Sequence, residues 1–454
     1  MVSADEVVID SHLLHRTDCI SDAVSAQPRR PLDEDILKDF RDCKILFQRT
    51  LDRVFVRPIS QQEQERYFNT LLAYWFNYFD TANDLSAVFF TSTPHFPWDI
   101  VLFFVARYRG MPVRFPRITP IDDCILFSHD LRSNDPCLVE FAPDMTFLSP
   151  TIDLRQLRVQ ESAALVQSQD INRHALVSGG AIVRVRKWVV LSGRAIVSLV
   201  TSEGRARRRR HYLRLNAVPL ICLRALQEFK VRMLRSWLRR NADVGPLRRP
   251  YVYFALHSQP ERTTDPEAGW FSDQILALEL LSSALPDEWT IYVKEHPRQV
   301  GVTPADLRQK NYRNVRYYQR LTAIRGVEMV SPWRSSAELI ENCELVSSCT
   351  GSVLWEGLIQ GRPGISFGPT WHSACRSTPV VTTLPSLRSA LVRLVGMTRE
   401  DVHADLEEFL GKARHSFVTS AFNTEQADRS SIDANVLAEN TASAFMESLV
   451  EDSV

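Results

Sequence analysis

The sequence lacks the features that mark several specialised classes of protein. Its eight cysteines are scattered without a CxxC pair, so neither a zinc site nor a disulfide framework is indicated, and a reducing cytoplasm is the expected compartment. The first residues, with Asp5, Glu6 and Asp10, show no basic region followed by an apolar core. A secretory signal is therefore not expected.

Long apolar runs are also missing. The most apolar stretch, 181–200, is interrupted by Arg184, Arg186, Lys187 and Arg194. No segment approaches the roughly 18 uncharged apolar residues that cross a bilayer. A membrane-spanning helix is therefore not expected.

The chain has no overall charge imbalance. Its 54 basic and 54 acidic residues give a formal net charge of +0, so the charge of the whole molecule predicts no particular partner. Arginines are nevertheless concentrated in the segment Arg205–Arg210. Such a segment is typical of a solvated helix face, and contact with an anionic polymer or with lipid phosphates is the alternative. Few aromatic residues lie between these arginines, so nucleic-acid binding is not expected.

Apolar segments in the N-terminal half predict a first domain. The strand-like run Ser86–Ser92 is followed by an apolar helix from Pro97 to Tyr108 and by the strand-like segments Pro112–Phe115 and Cys124–Phe127. Strands that alternate with a helix of this length are typical of a parallel sheet. We therefore expect an N-terminal Rossmann-like domain.

A chain of 454 residues is too long for one ordinary core, and Gly245-Pro246 marks the clearest boundary. We place the first domain at 1–245, with a basic and mainly helical insertion at 150–245. A second Rossmann-like domain follows at 246–385, and C-terminal helices occupy 386–454, with 399–450 packing back across the first domain.

The second domain has the clearest alternation of strands and helices. The predicted strands are Tyr251–Ala255, Trp289–Val293, Glu344–Ser347 and Pro363–Phe367, and the predicted helices are Ser272–Ala284, Ala337–Asn342 and Ser352–Ile359. Polar segments follow the first three strands: His257-Ser-Gln-Pro-Glu261, Lys294-Glu-His-Pro297 and Thr350-Gly-Ser352. Ligands of open α/β sheets bind beyond the carboxyl ends of parallel strands. The sequence therefore predicts one pocket, rich in hydrogen-bond donors and suited to an anion.

The segment Thr350-Gly351-Ser352 lies where a strand is expected to turn into a helix. A helix N-terminus carries unpaired amide groups and a partial positive charge, and a glycine lets a phosphate approach closely. Thr350 or Ser352 can add a hydroxyl donor, and Glu356, one turn into the helix, can accept the two hydroxyls of a ribose. An ordinary N-cap and a solvated glutamate are the alternatives.

Lys294 and His296 alternate along an extended segment and are therefore expected to point the same way. Lysine serves as a point charge for phosphate, and histidine as a donor or a proton shuttle. In the segment that begins at His257, Gln259 is a candidate to read a base edge or a sugar hydroxyl, and Glu261 to pair with a cation. A surface loop and a polar strand exit are the alternatives.

His95 and Asp99 lie at the corresponding strand end of the first domain, where an acceptor is expected. A general base must reach the proton that it removes, which makes both residues candidates, together with Asp122 and Asp123. The alternative description is a turn histidine and an aspartate at a helix N-terminus.

These motifs resemble those of bacterial capsular or surface polysaccharide biosynthesis proteins. The resemblance extends over Tyr251–Trp371 and includes the continuation from Thr350 through Trp355-Glu356 to Gly361-Arg-Pro363. That family is related to capsule glycosyltransferases, including those that use CMP-Kdo, with two Rossmann-like domains in the GT-B arrangement. The chain departs from the family at Ser352-Val353, where members often have a second glycine or small residue.

The resemblance implies an α/β fold with two Rossmann-like domains facing across a cleft, a helical insertion and C-terminal helices. It implies transfer of a sugar from a nucleotide-sugar donor, with a CMP-sugar as one candidate, to a glycan or glycolipid acceptor. Neither a metal nor another cofactor is expected, because GT-B enzymes stabilise the leaving phosphate with a helix dipole and basic side chains. By the same resemblance, the donor-binding residues are His257, Gln259, Glu261, Lys294, His296, Thr350, Gly351, Ser352 and Glu356.

Two other functions remain open from the sequence. One is a nucleotide-sugar epimerase of the same general architecture. The other is a non-catalytic polysaccharide assembly or export factor that binds polymer through Arg205–Arg210. The expected localisation is cytoplasmic, with peripheral contact at the inner membrane through Arg205–Arg210 as an alternative.

Overall fold

The structure, a computed structural model, describes residues 31–55, 59–82, 85–131, 139–142, 144–148, 217–242, 245–248, 250–300, 312–421, 427 and 430–450. The described residues belong to two compact units. Unit 1 contains those within 31–86, 95–111 and 217–226, and unit 2 contains those within 87–94, 112–148 and 227–450. Most of the predicted helical insertion lies outside the described residues, and the predicted domain boundaries stay a prediction.

Unit 1 is built from helices α1 (Glu34–Asp39), α2 (Arg41–Val54), α3 (Gln61–Thr81) and α4 (Pro97–Tyr108), which confirms the predicted helix at 97–108. The carboxylate of Asp33 begins α1 by accepting the Ile36 amide N–H at 2.9 Å. Ser60 and Glu63 form a capping box at the start of α3. Phenylalanines fill the space between these helices, with Phe47 against Phe68 edge to face at 5.3 Å between ring centroids.

The smaller sheet of unit 2 has the strand order β1-β2-β3-β9, formed by β1 (Val88–Phe89), β2 (Val113–Ile118), β3 (Cys124–Ser128) and β9 (Phe417–Thr419). Strand β1 is parallel to β2, whereas β2 with β3 and β3 with β9 are antiparallel. The prediction of a parallel sheet is therefore wrong for β2 and β3. Only residues 119–123 connect these strands, and a parallel pair needs a crossover of roughly a dozen residues or more.

The larger sheet is entirely parallel, with the order β6-β5-β4-β7-β8. Its strands are β4 (Tyr251–Ala255), β5 (Thr290–Lys294), β6 (Val327–Val330), β7 (Leu345–Ser348) and β8 (Gly364–Ser366). Numbered along the chain this order is 3-2-1-4-5, which is that of a Rossmann-like sheet. The four predicted strands are confirmed to within a residue at each end, and β6 was not predicted.

Helices cover both faces of this sheet, which explains why β4 is continuously apolar. On one face Val252 and Phe254 pack with residues of α5 (Ala217–Asn241), α6 (Gln274–Ala284), α7 (Val315–Thr322) and α10 (Leu384–Leu394). On the other, Tyr251 and Tyr253 pack with residues of α8 (Ser336–Asn342) and α9 (Val353–Ile359). Alternate side chains of one strand thus supply two cores.

The C-terminal segment returns to the smaller sheet through α11 (Arg399–Ala413), β9 and α12 (Ala434–Val450). Leu406 and Phe409 of α11 pack with Leu126 of β3 and with Trp355 of α9. The segment therefore packs on β3, and its predicted place across the first domain stays a prediction. Strand β9 was missed, because the whole of 399–450 was predicted to be helical.

Candidate functional site

The carboxyl ends of β4 and β7 lie side by side at the point where the sheet changes direction. The chain leaves β4 towards β5 on one side, and leaves β7 towards β8 on the other. Ligands of doubly wound sheets bind in the crevice outside such a switch point. The three predicted polar segments begin here, at the ends of the neighbouring strands β5, β4 and β7. We call their nine predicted donor-binding residues the switch-point site: His257, Gln259, Glu261, Lys294, His296, Thr350, Gly351, Ser352 and Glu356.

His257 joins the end of β4 to the loop after β7. Its Nε2 accepts the Thr350 amide N–H at 3.1 Å and lies 3.2 Å from the Ser348 hydroxyl. A nitrogen that accepts an amide N–H carries no proton, so the neutral ring has its proton on Nδ1. Nδ1 faces the Glu261 carboxylate at 3.4 Å and the Thr263 hydroxyl at 3.3 Å. With a side chain only 5% exposed, His257 ties the two loops together.

Gly351 is needed because the loop passes directly over Ser348. A Cβ at this position would lie 2.7 Å from the Ser348 hydroxyl oxygen and 3.5 Å from His257 Nε2. The close contact found at Gly351 is with the end of β7, and the close approach of a phosphate there stays a prediction. Thr350 is also engaged, since its hydroxyl donates to the Thr263 carbonyl oxygen.

Lys294 ends β5 and is almost fully buried, at 8% exposure. Its ammonium donates to the Ser336 hydroxyl at 2.7 Å, at the start of α8. Burial lowers the pKa of Lys294 to about 8, and the negative charge of Glu356 opposes that shift. The lysine is thus a buried cation with a neutral hydroxyl as its bonded partner and a carboxylate nearby.

His296 presents the opposite tautomer to His257. Its Nδ1 accepts the Arg298 amide N–H at 3.2 Å, which places the proton of the neutral ring on Nε2. Among the described residues none is bonded to Nε2. Burial lowers the pKa of His296 to about 4, against the attraction of Glu261 and with the help of Arg298. At neutral pH the ring is therefore an uncharged donor.

Glu261 is the ionised partner of both histidines. Burial raises its pKa, but the hydrogen bond with His257 and the positive charge of Arg298 act against burial, and the pKa is lowered. Glu261 remains 40% exposed on its side chain. The pairing of Glu261 with a cation stays a prediction.

Gln259 is buried at 2% exposure and faces the interior of its loop. Its side-chain amide donates to the Thr264 hydroxyl at 2.6 Å, and its backbone N–H donates to Gln299 at 2.7 Å. These contacts shape the loop, and the reading of a base edge by Gln259 stays a prediction.

Ser352 and Glu356 lie on the first turn of α9, as predicted. Ser352 is the N-cap residue, and its hydroxyl donates to Glu356 at 3.1 Å. Glu356 is half-buried and its charge acts on both Lys294 and Tyr253, which places it beside the end of β5 and β4. The ribose contact proposed for Glu356 stays a prediction.

Two buried residues of the site were missed by the sequence analysis. Glu295 is 0% exposed and accepts from Arg313 Nε at 2.7 Å and from the Tyr318 hydroxyl at 2.9 Å. Arg313 also donates to the His257 carbonyl oxygen at 3.0 Å. The alternation that directs Lys294 and His296 one way directs Glu295 the other way, so the sequence held a signal for Glu295. Nothing near Arg313 in the sequence identifies it as the partner.

The two candidate catalytic residues of unit 1 are neighbours at the start of α4. The Asp99 carboxylate faces the amide groups of Phe96 at 3.3 Å and His95 at 3.5 Å. Burial raises the pKa of Asp99 to about 6, although those amides and the charge of Arg53 oppose the shift. The described geometry is that of an aspartate at a helix N-terminus, and the catalytic roles of His95 and Asp99 stay predictions.

The basic segment Arg205–Arg210 lies outside the described residues, so its contact with polymer or membrane stays a prediction. Across the described ranges, no helix combines the length and apolar character needed to cross a membrane. Within the same ranges, no three His, Cys, Asp or Glu side chains are grouped as metal ligands.

Comparisons with known proteins give only weak likenesses. No protein-family model and no curated protein matches the chain. Similar solved structures include the UDP-GlcNAc 2-epimerase of Methanocaldococcus jannaschii with UDP-GlcNAc and UDP (16% identity, 39% of this chain and 48% of that chain, TM-score 0.26). Others are the KpsC β-Kdo 2,7 transferase of Thermosulfurimonas dismutans (14%, 40% and 61%, TM-score 0.24) and Anabaena HepE with UDP and glucose (12%, 40% and 48%, TM-score 0.25). The chain thus spans about half of the length of these proteins, and likenesses of this strength assign no function.

Proposed function

We propose that the chain is a glycosyltransferase of bacterial capsule or surface polysaccharide synthesis. A nucleotide-sugar donor, with a CMP-sugar as one candidate, would bind the Rossmann-like domain at 246–385. A glycan or glycolipid acceptor would bind the domain at 1–245, across a GT-B-like cleft. The observation that carries the proposal is the pair Lys294 and His296, which are a buried cation and a neutral donor beside the switch point of a Rossmann-like sheet.

In this proposal the donor phosphate lies against Lys294 and His296. The ammonium supplies charge and the Nε2–H of His296 supplies a directed hydrogen bond. The amides that follow Thr350 add to these donors, whereas the Thr350 amide itself is bonded to His257. Glu356, one turn further along α9, would accept ribose hydroxyls. A phosphate held in this way is stabilised as it becomes the leaving group.

The proposed reaction is a displacement at the anomeric carbon. The acceptor hydroxyl oxygen forms a bond to that carbon, the bond from the carbon to the phosphate oxygen breaks, and the nucleotide leaves with the electron pair. The hydroxyl proton passes to a base, for which His95 and Asp99 are the candidates. A pKa of about 6 leaves Asp99 mainly ionised at neutral pH and basic enough to accept a proton.

The most direct test measures thermal stabilisation of the purified protein by CMP-, UDP- and GDP-sugars. A ligand that binds the native state raises the melting temperature, so one nucleotide class is expected to give a concentration-dependent shift. Lys294→Ala and His296→Ala should remove the shift while the unliganded proteins still melt cooperatively. The proposal is wrong if no class shifts the wild type, or if both variants respond as the wild type does.

The candidate base is tested separately, by transfer assays with Asp99→Asn and His95→Gln. Loss of the true base should lower kcat by roughly 100- to 10,000-fold with donor affinity unchanged. If Asp99 is the base, the wild-type rate should fall as the pH drops through about 6. A pair of variants that both keep wild-type kcat would place the base elsewhere.

The ionised Glu261 beside two histidines also favours a second candidate, a nucleotide-sugar epimerase. An epimerase would convert its nucleotide-sugar without an acceptor, and the product sugar would have changed configuration. Incubating the protein with a bound donor and no acceptor, followed by sugar analysis, separates the two enzymes. A non-catalytic assembly factor would bind polymer and give no product in either assay.

A further inference from the structure

A buried ion pair lies directly behind the switch-point site. Glu295 and Arg313 have side chains 0% and 3% exposed, and the Glu295 carboxylate meets Arg313 Nε at 2.7 Å. The guanidinium also lies over the Tyr317 ring, 4.3 Å from its centroid. The pair thus belongs to the interior of unit 2.

The pair reaches the backbone beside both histidines of the site. Oxygen Oε1 of Glu295 accepts the amide N–H of His296 at 2.8 Å. On the opposite side, Arg313 Nη2 donates to the carbonyl oxygen of His257 at 3.0 Å. One continuous set of hydrogen bonds therefore runs from the exit of β4 through the ion pair to the exit of β5.

Stability alone is a poor reason for such a pair. Removing two charges from water costs several kcal/mol per ion, and apolar pairs of similar volume are often as stable or more stable. A guanidinium and a carboxylate have, however, fixed directions for their hydrogen bonds. An apolar pair would fill the volume without holding the two loop backbones at a set separation.

We propose that Glu295 and Arg313 are positioning residues that set the separation of His257 and His296, and through it the affinity for the nucleotide-sugar donor. This inference rests on the proposed function. The pair touches no ligand itself and acts through the two backbones that it holds.

Two conservative substitutions break the link in different ways. In Glu295→Gln one of the two carboxylate oxygens becomes an NH₂ group, which cannot accept a hydrogen bond. This NH₂ group faces either the donors of Arg313 and Tyr318 or the His296 N–H, and the hydrogen bond on that side is lost. Arg313→Lys keeps the positive charge. The guanidinium, which bonds both Glu295 and the His257 carbonyl oxygen, is replaced by a single ammonium nitrogen. Each variant should raise the donor Kd and KM roughly tenfold or more, with kcat at saturating donor much less affected.

Asp405→Asn is the matched control for a merely structural effect. Asp405 is 8% exposed and holds Arg376 Nε at 3.0 Å and the Ser377 hydroxyl at 2.6 Å, none of which belongs to the switch-point site. This variant should lower the melting temperature and leave the donor Kd within about twofold of wild type, because Asp405 shares no hydrogen-bond partner with the switch-point site.

The experiment titrates CMP, UDP and GDP and their sugars calorimetrically into the wild type and the three variants, well below each melting temperature. The inference stands if Glu295→Gln or Arg313→Lys loses affinity and Asp405→Asn does not, at similar losses of stability. It is overturned alone if the wild type binds a nucleotide and both site variants bind it equally well, or if Asp405→Asn loses as much affinity. A wild type that binds none of these nucleotides overturns the proposed function and this inference with it.

Discussion

The two sides of the switch-point site satisfy their polar groups in different ways. On the side of β4 and β7, His257 bonds to Thr350 through Nε2 and faces Glu261 through Nδ1, so its ring is engaged at both nitrogens. On the side of β5, burial moves the pKa of Lys294 to about 8 and that of His296 to about 4. On the first side the polar groups are bonded to each other. On the second side the pKa values of the two basic side chains lie well below their ordinary values.

We interpret the first side as the one that builds the site and the second as the one that the proposed donor would use. A buried group that is paired within the protein stabilises the fold. Where burial displaces the pKa of a group, the loss of solvation makes its charged form less stable in the unliganded protein. Groups of this kind are concentrated at functional sites. We therefore expect substitutions on the two sides to have opposite effects on stability.

Lys294→Met gives the largest expected effect. Loss of the charge should weaken donor binding roughly 10- to 100-fold, the magnitude of a hydrogen bond to a charged group. The unliganded protein should be more stable by about 1 to 3 kcal/mol at pH 7, since a depressed lysine pKa penalises the charged form by about 1.4 kcal/mol per unit. Titration calorimetry and denaturant unfolding measure the two quantities.

The sign of the Lys294 effect can be checked with pH. The unfolded chain binds this proton up to about pH 10.5 and the folded protein up to about pH 8, so wild-type stability gains from this group as pH rises between those values. The advantage of Lys294→Met should be full below pH 8 and disappear near pH 10.5. Lys412→Met, at a side chain 77% exposed, is the control for loss of a surface lysine. If Lys294→Met were less stable than wild type at pH 7, the proposed difference between the two sides of the site would be wrong.

His257→Ala tests the internally paired side. It leaves the buried Thr350 amide without its acceptor and should cost about 1 to 3 kcal/mol of unfolding free energy. His257→Gln offers an amide oxygen near the position of Nε2 and should recover part of that loss. Unfolding curves of the three proteins at pH 7 compare them directly, and equal stability of wild type and His257→Ala would contradict the locking role.

The convergence of these residues could be predicted because parallel strands end at one edge of a sheet. Apolar runs located β4, β5, β7 and β8, and the polar residues after three of them then had to be neighbours. Strand β6 was missed because Glu328 interrupts its apolar run. The β2–β3 hairpin was missed because the helix before it, α4, suggested a series of parallel strands joined by crossovers.

Partners from distant segments could not be predicted in the same way. Gln274 accepts the His257 amide N–H at 2.8 Å, yet in the sequence it is an ordinary first residue of a helix. Arg313 is one arginine among many in the sequence, and only the fold brings it to Glu295 and to the His257 carbonyl oxygen. In each histidine, the ring nitrogen that accepts a hydrogen bond is likewise set by the position of a backbone amide. The order of side chains in the sequence does not predict it.

Gly351→Ala should lower stability by an amount similar to His257→Ala, again on the paired side. The new Cβ would lie 2.7 Å from the Ser348 hydroxyl oxygen and 3.3 Å from its Cβ, so the loop must shift. Overpacking of this kind costs about 1 to 3 kcal/mol. Ser348→Ala removes the nearest atom, so the double variant should be more stable than the sum of the two single effects predicts. Strict additivity in unfolding measurements would show that the contact is not the cause.

The effect that is smallest at neutral pH is that of His296, because its contribution to stability appears only below about pH 6.5. The unfolded chain binds a proton at this histidine near pH 6.5, whereas burial keeps the folded ring neutral until the pH falls to about 4. Protons are therefore taken up on unfolding between these values, and wild-type stability should decrease as pH falls from about 6.5 towards about 4. His296→Gln keeps an N–H donor but does not titrate, so it should lose less stability over the same interval. Melting temperatures measured in parallel cancel the titration of all groups that both proteins share. If the two curves stay parallel, His296 is solvated and protonates freely, and the two histidines of the site do not differ in the way that their contacts indicate.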